Sequence, residues 1–434
     1  MKGALPIGVD PGYTRMRALA LVAVVLVMAC GSSSRSVASK ASPAVSNFPT
    51  ASATGAPPTQ EASAPRTEPP QPSPTPSAPS VQCLQGATPS SLTVITEPNV
   101  SFLFDVTDPT HPHVVCRIAN TYVHITTGTS FEYLKPRPDG ITDVVLHTLG
   151  TNNESVVATT KADLYHAYFG GFASIAWSSS SNTIAYLKDG GTAANGLGVT
   201  DVWLATAAGR AKIFNYVVGG MDAFSRPGIP PPTLGFSADG QYLAAGWTIA
   251  QSGVRVVRLA DLANVTPAWP ADFRFALWAK TGQTLYVVGG ASVAQWTPGG
   301  KVTALPSTPG WVLGPNFSPD GTQVAFTAAT PTSGIKAYVY DLNARSSRLL
   351  SSQPRSSTVF VKAGWVWYVE EKPCVQTNDN PCFEPTVPIG RVLAFELSTG
   401  RESAVTFAAG ESPNPPGSYD ILGAGDLWPR SWSF

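Results

Sequence analysis

The chain of 434 residues carries 28 basic and 28 acidic residues, and charged residues make up only 13% of it. That neutral balance excludes the basic footprint a nucleic-acid partner requires. Gly (39) and Pro (40) are abundant, and outside the N-terminus no long run has the 3.6-residue apolar period. The composition therefore predicts many short strands joined by turns.

The N-terminus reads as a targeting segment. Arg15 and Arg17 flank an apolar run from Ala18 to Ala29, too short for an anchored transmembrane helix and suited to a signal-peptide core. The run ends Leu26-Val27-Met28-Ala29-Cys30, followed by Gly31 and a Ser-rich stretch. This junction resembles the bacterial lipobox. The resemblance implies cleavage before Cys30, a diacylglycerol on its sulfur, and an extracytoplasmic address at the cell membrane. An ordinary secretory signal with an incidental Cys is the alternative. Met16 is a second candidate start, because residues 1–15 form an overlong leader.

Residues 1–29 are thus expected to be a signal peptide and residues 30–81 a disordered tether. Ser, Pro, Ala and Thr dominate the tether and large apolar residues are nearly absent, so no core offsets the entropy of ordering. As a flexible coil it reaches about 40 Å. Residues 82–434 form the globular part.

Four further cysteines, Cys83, Cys116, Cys374 and Cys382, are an even number in an exported chain, which predicts disulfides. Cys374 and Cys382 bracket a short Asn378-Asp379-Asn380-Pro381 loop, so they are expected to bond each other and leave Cys83 to Cys116. The spacings match no zinc pattern.

The globular part is built on a recurring pattern: an aromatic residue, a polar turn closed by Gly, then an alternating apolar run. It is clearest in Phe236-Ser-Ala-Asp-Gly240 and Phe317-Ser-Pro-Asp-Gly321. Asp bonds its own backbone two residues on and Gly takes a positive φ, so each copy predicts a β-hairpin. Weaker copies begin at Trp278 and Phe360, which gives steps of 42, 39 and 43 residues. A period of about 40–45 residues with four strands per unit is the signature of a β-propeller. Seven blades fit residues 82–434. The tail Tyr419-Asp-Ile-Leu-Gly-Ala-Gly425-Asp-Leu-Trp428 spaces Ile421 and Gly425 as Phe236 and Gly240 are spaced. It is expected to close the ring as the innermost strand of the first blade, outside which lie residues 92–118.

Phe-Ser-Pro-Asp-Gly before an alternating strand resembles the TolB-type propeller repeat, a relative of WD repeats. The resemblance covers blades three to seven well and implies a ring of four-stranded blades used as a binding scaffold; it brings no catalytic residues. The residues themselves mark no nucleophile elbow. His111 and His113 sit in a turn and read as turn residues rather than metal ligands. Asp239 and Asp320 lack the carboxylate spacing of a calcium loop. Most Trp residues fall at alternating strand positions, which favours packing between blades.

The expected function is a non-enzymatic, surface-anchored binding scaffold with no cofactor and no metal. The scaffold is expected to be a monomer, tied to the membrane through its lipid and meeting a protein or glycan partner in the envelope. The alternative is a propeller enzyme acting on glycans as a lyase or glycosidase, which requires paired carboxylates in the channel. Strand parity puts the longest insertions (188–200, 219–232 and 371–390) on one face, where recognition is expected. Phe224, Arg226, Trp311 and the 374–382 loop are the candidate ligand residues.

Overall fold

Both full copies of the repeat build the same turn. Ser237 Oγ donates to Asp239 at 2.6 Å and accepts from the backbone N–H of Tyr242 at 3.0 Å. Ser318 Oγ likewise donates to Asp320 and accepts from Gln323 N–H at 3.0 Å. Gly240 and Gly321 close the two turns at φ +67° and +72°, a conformation open to glycine at no steric cost.

In a computed structural model of the chain, residues 78–97, 100–127, 129–164, 175–192, 198–217, 233–247, 253–330, 334–373 and 386–411 are described. Cys30, Phe224, Arg226, Cys374, Cys382 and the tail 412–434 lie outside them. Among the described residues every element is a strand, and the strands form seven antiparallel sheets of four. The protein is an all-β, seven-bladed propeller.

The first blade holds β1 (Ser80–Cys83), β2 (Leu92–Glu97), β3 (Val100–Asp105) and β4 (His113–Ala119). The second holds β5 (Val123–Thr127), β6 (Ser130–Pro136), β7 (Thr142–Thr148) and β8 (Asn153–Thr160). The third holds β9 (Ile175–Ser178), β10 (Thr183–Thr192), β11 (Gly198–Ala205) and β12 (Arg210–Val217). The fourth holds β13 (Thr233–Phe236), β14 (Tyr242–Trp247), β15 (Gly253–Arg258) and β16 (Ala263–Asn264). The fifth holds β17 (Phe275–Trp278), β18 (Leu285–Gly289), β19 (Ser292–Trp296) and β20 (Thr303–Leu305). The sixth holds β21 (Trp311–Phe317), β22 (Gln323–Thr330), β23 (Gly334–Asp341) and β24 (Ser346–Leu349). The seventh holds β25 (Arg355–Lys362), β26 (Trp365–Pro373), β27 (Thr386–Glu396) and β28 (Arg401–Ala404).

In blades two to seven the strands lie in chain order, from the innermost outward. Turns between first and second strands, and between third and fourth, therefore emerge on one face, the short-turn face. Connections between second and third strands, and from blade to blade, emerge on the opposite, long-connection face. Strand extends into both ends of two of the expected insertions. The β10–β11 ladder runs out to Thr192 opposite Gly198, and β26–β27 to Pro373 opposite Thr386, each past a β-bulge.

The first blade departs from this scheme. Its sheet order is β1-β4-β3-β2, so the first strand in the chain is an outer edge that the sequence reading did not anticipate. Lys362, at the short-turn end of β25, donates from Nζ to Thr107 O at 2.8 Å. Gln85, just past β1, makes a parallel bridge to Gly150 in the β7–β8 turn. The β3–β4 connection and the end of β1 thus both lie on the short-turn face, and β2 runs opposite to the innermost strand of every other blade.

Seven apolar clusters fill the seven seams between adjacent blades. Each arises because alternate residues of a strand face opposite neighbours. Leu103 packs with Phe131 between blades one and two, and Phe104 with Val361 and Trp367 between blades one and seven. Fully burying one such side chain contributes about 1.5–3 kcal/mol. Indoles donate across seams: Trp278 Nε1 to Gly235 O at 2.9 Å and Trp367 Nε1 to Pro109 O at 2.9 Å. The closing seam also has Thr406 N–H on Thr110 O at 2.8 Å.

Candidate ligand-binding face

The best-defined feature of the long-connection face is built by two glycines. Just ahead of β17 the backbone of Asp272–Arg274 crosses the ends of β14 and β18. A Cβ on Gly246 would stand 2.4 Å from Arg274 O, and one on Gly289 would stand 2.0 Å from Asp272 O. Only glycine admits so close a passage. The segment is then fixed by Arg274 N–H donating to Val288 O at 2.8 Å and by the buried ring of Phe273.

Held this way, Arg274 places its guanidinium 4.5 Å from the centroid of the Trp311 ring. Trp311 opens β21, the innermost strand of the next blade, and remains 53% exposed. It is the most exposed of the tryptophans that the described core and surface account for; Trp278, Trp296 and Trp367 are all buried. The pair is a cation–π contact, and an aromatic surface beside a guanidinium can stack a flat or CH-rich ligand and hydrogen-bond it from the side.

Of the expected site residues, Trp311 lies on the long-connection face. Phe224, Arg226 and the 374–382 loop lie outside the described residues. Sequence reading missed Arg274, which stands just ahead of the strand that begins at Phe275. The only local signal was a charged residue between two phenylalanines, and its position depends on glycines 28 residues before and 15 after it.

Elsewhere, polar groups serve the ring. His124 on β5 lies opposite Glu132 on β6, with Nδ1 4.0 Å from Glu132 Oε2. Trp177 Nε1 donates to the same carboxylate oxygen at 2.7 Å. Desolvation, then the charge of Lys280, pushes the His124 imidazole down to about 4. Burial likewise pushes Lys280 down to about 8, and its Nζ donates to Pro319 O at 2.8 Å on the next blade. His111 Nδ1 lies 3.1 Å from Asp108, whose carboxyl is held down to about 2, first by the Thr110 hydroxyl. Among the described residues no three His, Cys, Asp or Glu side chains gather as a metal site would need. Cys83 and Cys116 are disulfide-bonded, as directly opposed residues of β1 and β4.

No family profile matches the chain, and no curated protein sequence matches it. Among solved structures it is similar to TolB from Acinetobacter baumannii, with 12% identity, 75% of this chain and 78% of that chain covered, and a TM-score of 0.35. It is also similar to the β-propeller domain of the Trilobed protease from Pyrococcus furiosus, with 13% identity, 68% and 97% covered, and a TM-score of 0.33. A prolyl endopeptidase aligns at 13% identity and a TM-score of 0.41, with 75% of this chain and 49% of that one covered. The propeller assignment rests on the seven sheets and their closed circuit of seams.

Proposed function

We propose that the protein is a lipid-anchored propeller of the bacterial cell envelope that binds a protein or glycan partner without transforming it. Cys30 would carry the lipid, the residues between it and β1 the tether (shorter than expected, since Ser80 and Val81 pair with β4), and the long-connection face the ligand. The Arg274–Trp311 pair carries the reading. A half-exposed indole, fixed in place by a strand and capped on one side by a guanidinium, offers a rigid stacking surface with hydrogen-bond donors beside it, the combination enriched at binding sites. Chain direction agrees. Ser80 pairs with Ala119, next to the blade-to-blade connection, so the tether would leave from the same face that meets the ligand.

The test uses the purified full chain as bait in envelope extract. Trp311→Ala and Arg274→Ala should each lower partner capture at least tenfold, while Thr322→Ala on the short-turn face should leave it unchanged. Pretreating the extract with protease or with glycosidases separates the two partner classes. Equal losses in all three variants would discard the face assignment. Cys30→Ser should move the protein out of the detergent phase.

A further inference from the structure

Arg274 differs from other arginines of the ring in what completes its charge. Arg137, Arg210 and Arg391 each lie beside a carboxylate, Asp139 at 3.5 Å, Asp163 at 3.1 Å and Glu370 at 2.8 Å. Among the described residues no carboxylate pairs with Arg274, not even Asp272, exposed two residues before it. Its Nε is buried without an acceptor, so the donors left for a ligand are those of the Nη end. A guanidinium keeps its charge and matches a planar anion with its fork of donors. Phosphate groups are met by clusters of arginine, whereas a single guanidinium suits a carboxylate.

The ring beside it points to a sugar. Arg274 and Trp311 stand at the starts of the innermost strands β17 and β21, and so at the mouth of the central channel. Both are fixed to the β18–β19 hairpin, Arg274 by its N–H on Val288 O and the Trp311 strand by Val312 N–H on Gly290 O at 3.0 Å. The other large apolar side chains exposed among the described residues lie elsewhere. Leu84 is just past β1, Val156 and Leu349 are on the outermost strands β8 and β24, and Leu262 is in a short turn. A protein interface gathers several large apolar side chains at its centre. A lone indole is instead matched by one pyranose, whose C–H face stacks on it.

We propose, resting on the ligand face assigned above, that this pair holds an acidic glycan. One pyranose stacks on the open face of Trp311, and the carboxylate of a neighbouring uronate meets the Nη end of Arg274. The guanidinium lies 4.5 Å from the ring centroid, and a stacked sugar lies about 4 Å from the opposite face. Sugar and charge are thus about 8–9 Å apart across the indole, which assigns the carboxylate to the next residue along the glycan. A single uronic acid therefore satisfies one half of the site, and a chain satisfies both.

Calorimetric titration of the purified full chain with hexasaccharides of hyaluronate, alginate and polygalacturonate tests this. At least one should bind, and its carboxyl-reduced form and its uronic acid monomer should each bind at least tenfold more weakly. Trp311→Ala should weaken binding of the hexasaccharide at least tenfold. Arg274→Gln should bring the acidic and reduced forms to the same affinity. Trp311→Phe keeps a stacking ring and should retain binding, which separates loss of the ring from loss of the fold. Binding of none of the three, equal binding of the reduced form, or variants that lower the melting temperature without lowering affinity would overturn the proposal. Capture from envelope extract separates this failure from failure of the face. Capture that needs Trp311 and Arg274 but is abolished by protease, with no acidic glycan bound, keeps the face and overturns the glycan. Equal loss in Thr322→Ala discards both.

Discussion

Two glycines with the same turn conformation separate strain from crowding. Gly240 and Gly321 both have positive φ, so alanine at either loses about 1 kcal/mol through the backbone. A Cβ on Gly240 would also stand 2.9 Å from the hydroxyls of Ser178 and Ser180, whereas one on Gly321 would meet the Lys280 side chain no closer than 3.4 Å. Gly240→Ala should therefore destabilise more than Gly321→Ala in urea melts. The same scale yields a pH dependence. The unfolded chain protonates His124 near the ordinary 6.5, while the folded chain resists until about 4. Within that window the unfolded state binds more protons, so stability falls as pH drops from about 6.5 to about 4, and this contribution is constant below. His124→Gln should flatten the decline between those limits, measured as unfolding midpoints at several pH values. The turn residues were legible in sequence because their hydrogen bonds are local. The depressed His124 was not, because its neighbours come from β6, from the third blade and from Lys280 in the fifth.

At the scale of the element, the seventh blade is tied across its width. Arg355 on the innermost strand is buried and forks onto Glu402 of the outermost, with Nη2 to Oε1 at 2.9 Å and Nε to Oε2 at 3.2 Å. Tyr368, on β26, donates its hydroxyl to Glu402 Oε2 at 2.6 Å. Glu402→Ala leaves the Arg355 guanidinium without its carboxylate and should destabilise, by less than the ~3–5 kcal/mol of a fully buried pair because the Glu402 side chain is a third exposed. Arg355→Met with Glu402→Leu should recover most of that loss, read by the same melts. Strand positions were legible wherever apolar alternation ran four residues or more, as at Leu285–Gly289. The short outer strands, such as Ala263–Asn264, carry too few residues for a period. β1 escaped notice because Ser-Val-Gln-Cys follows directly on a tether-like composition.

For the whole molecule, the repeat period carried the blade count, since 40–45 residues is what four strands and their turns occupy. It could not carry the strand sense of the first blade, which is set by where the chain enters the ring. That entrance has a mechanical side. Tension on the chain ahead of Ala78 would load β1 at its first residue, on a sheet edge, where antiparallel hydrogen bonds open one after another like a zipper. The covalent link at Cys83, opposite Cys116, stops such a peel three residues in. Beyond that point the pull is borne by β4, an interior strand paired on both sides, and unfastening it means shearing into the blade rather than stripping its rim.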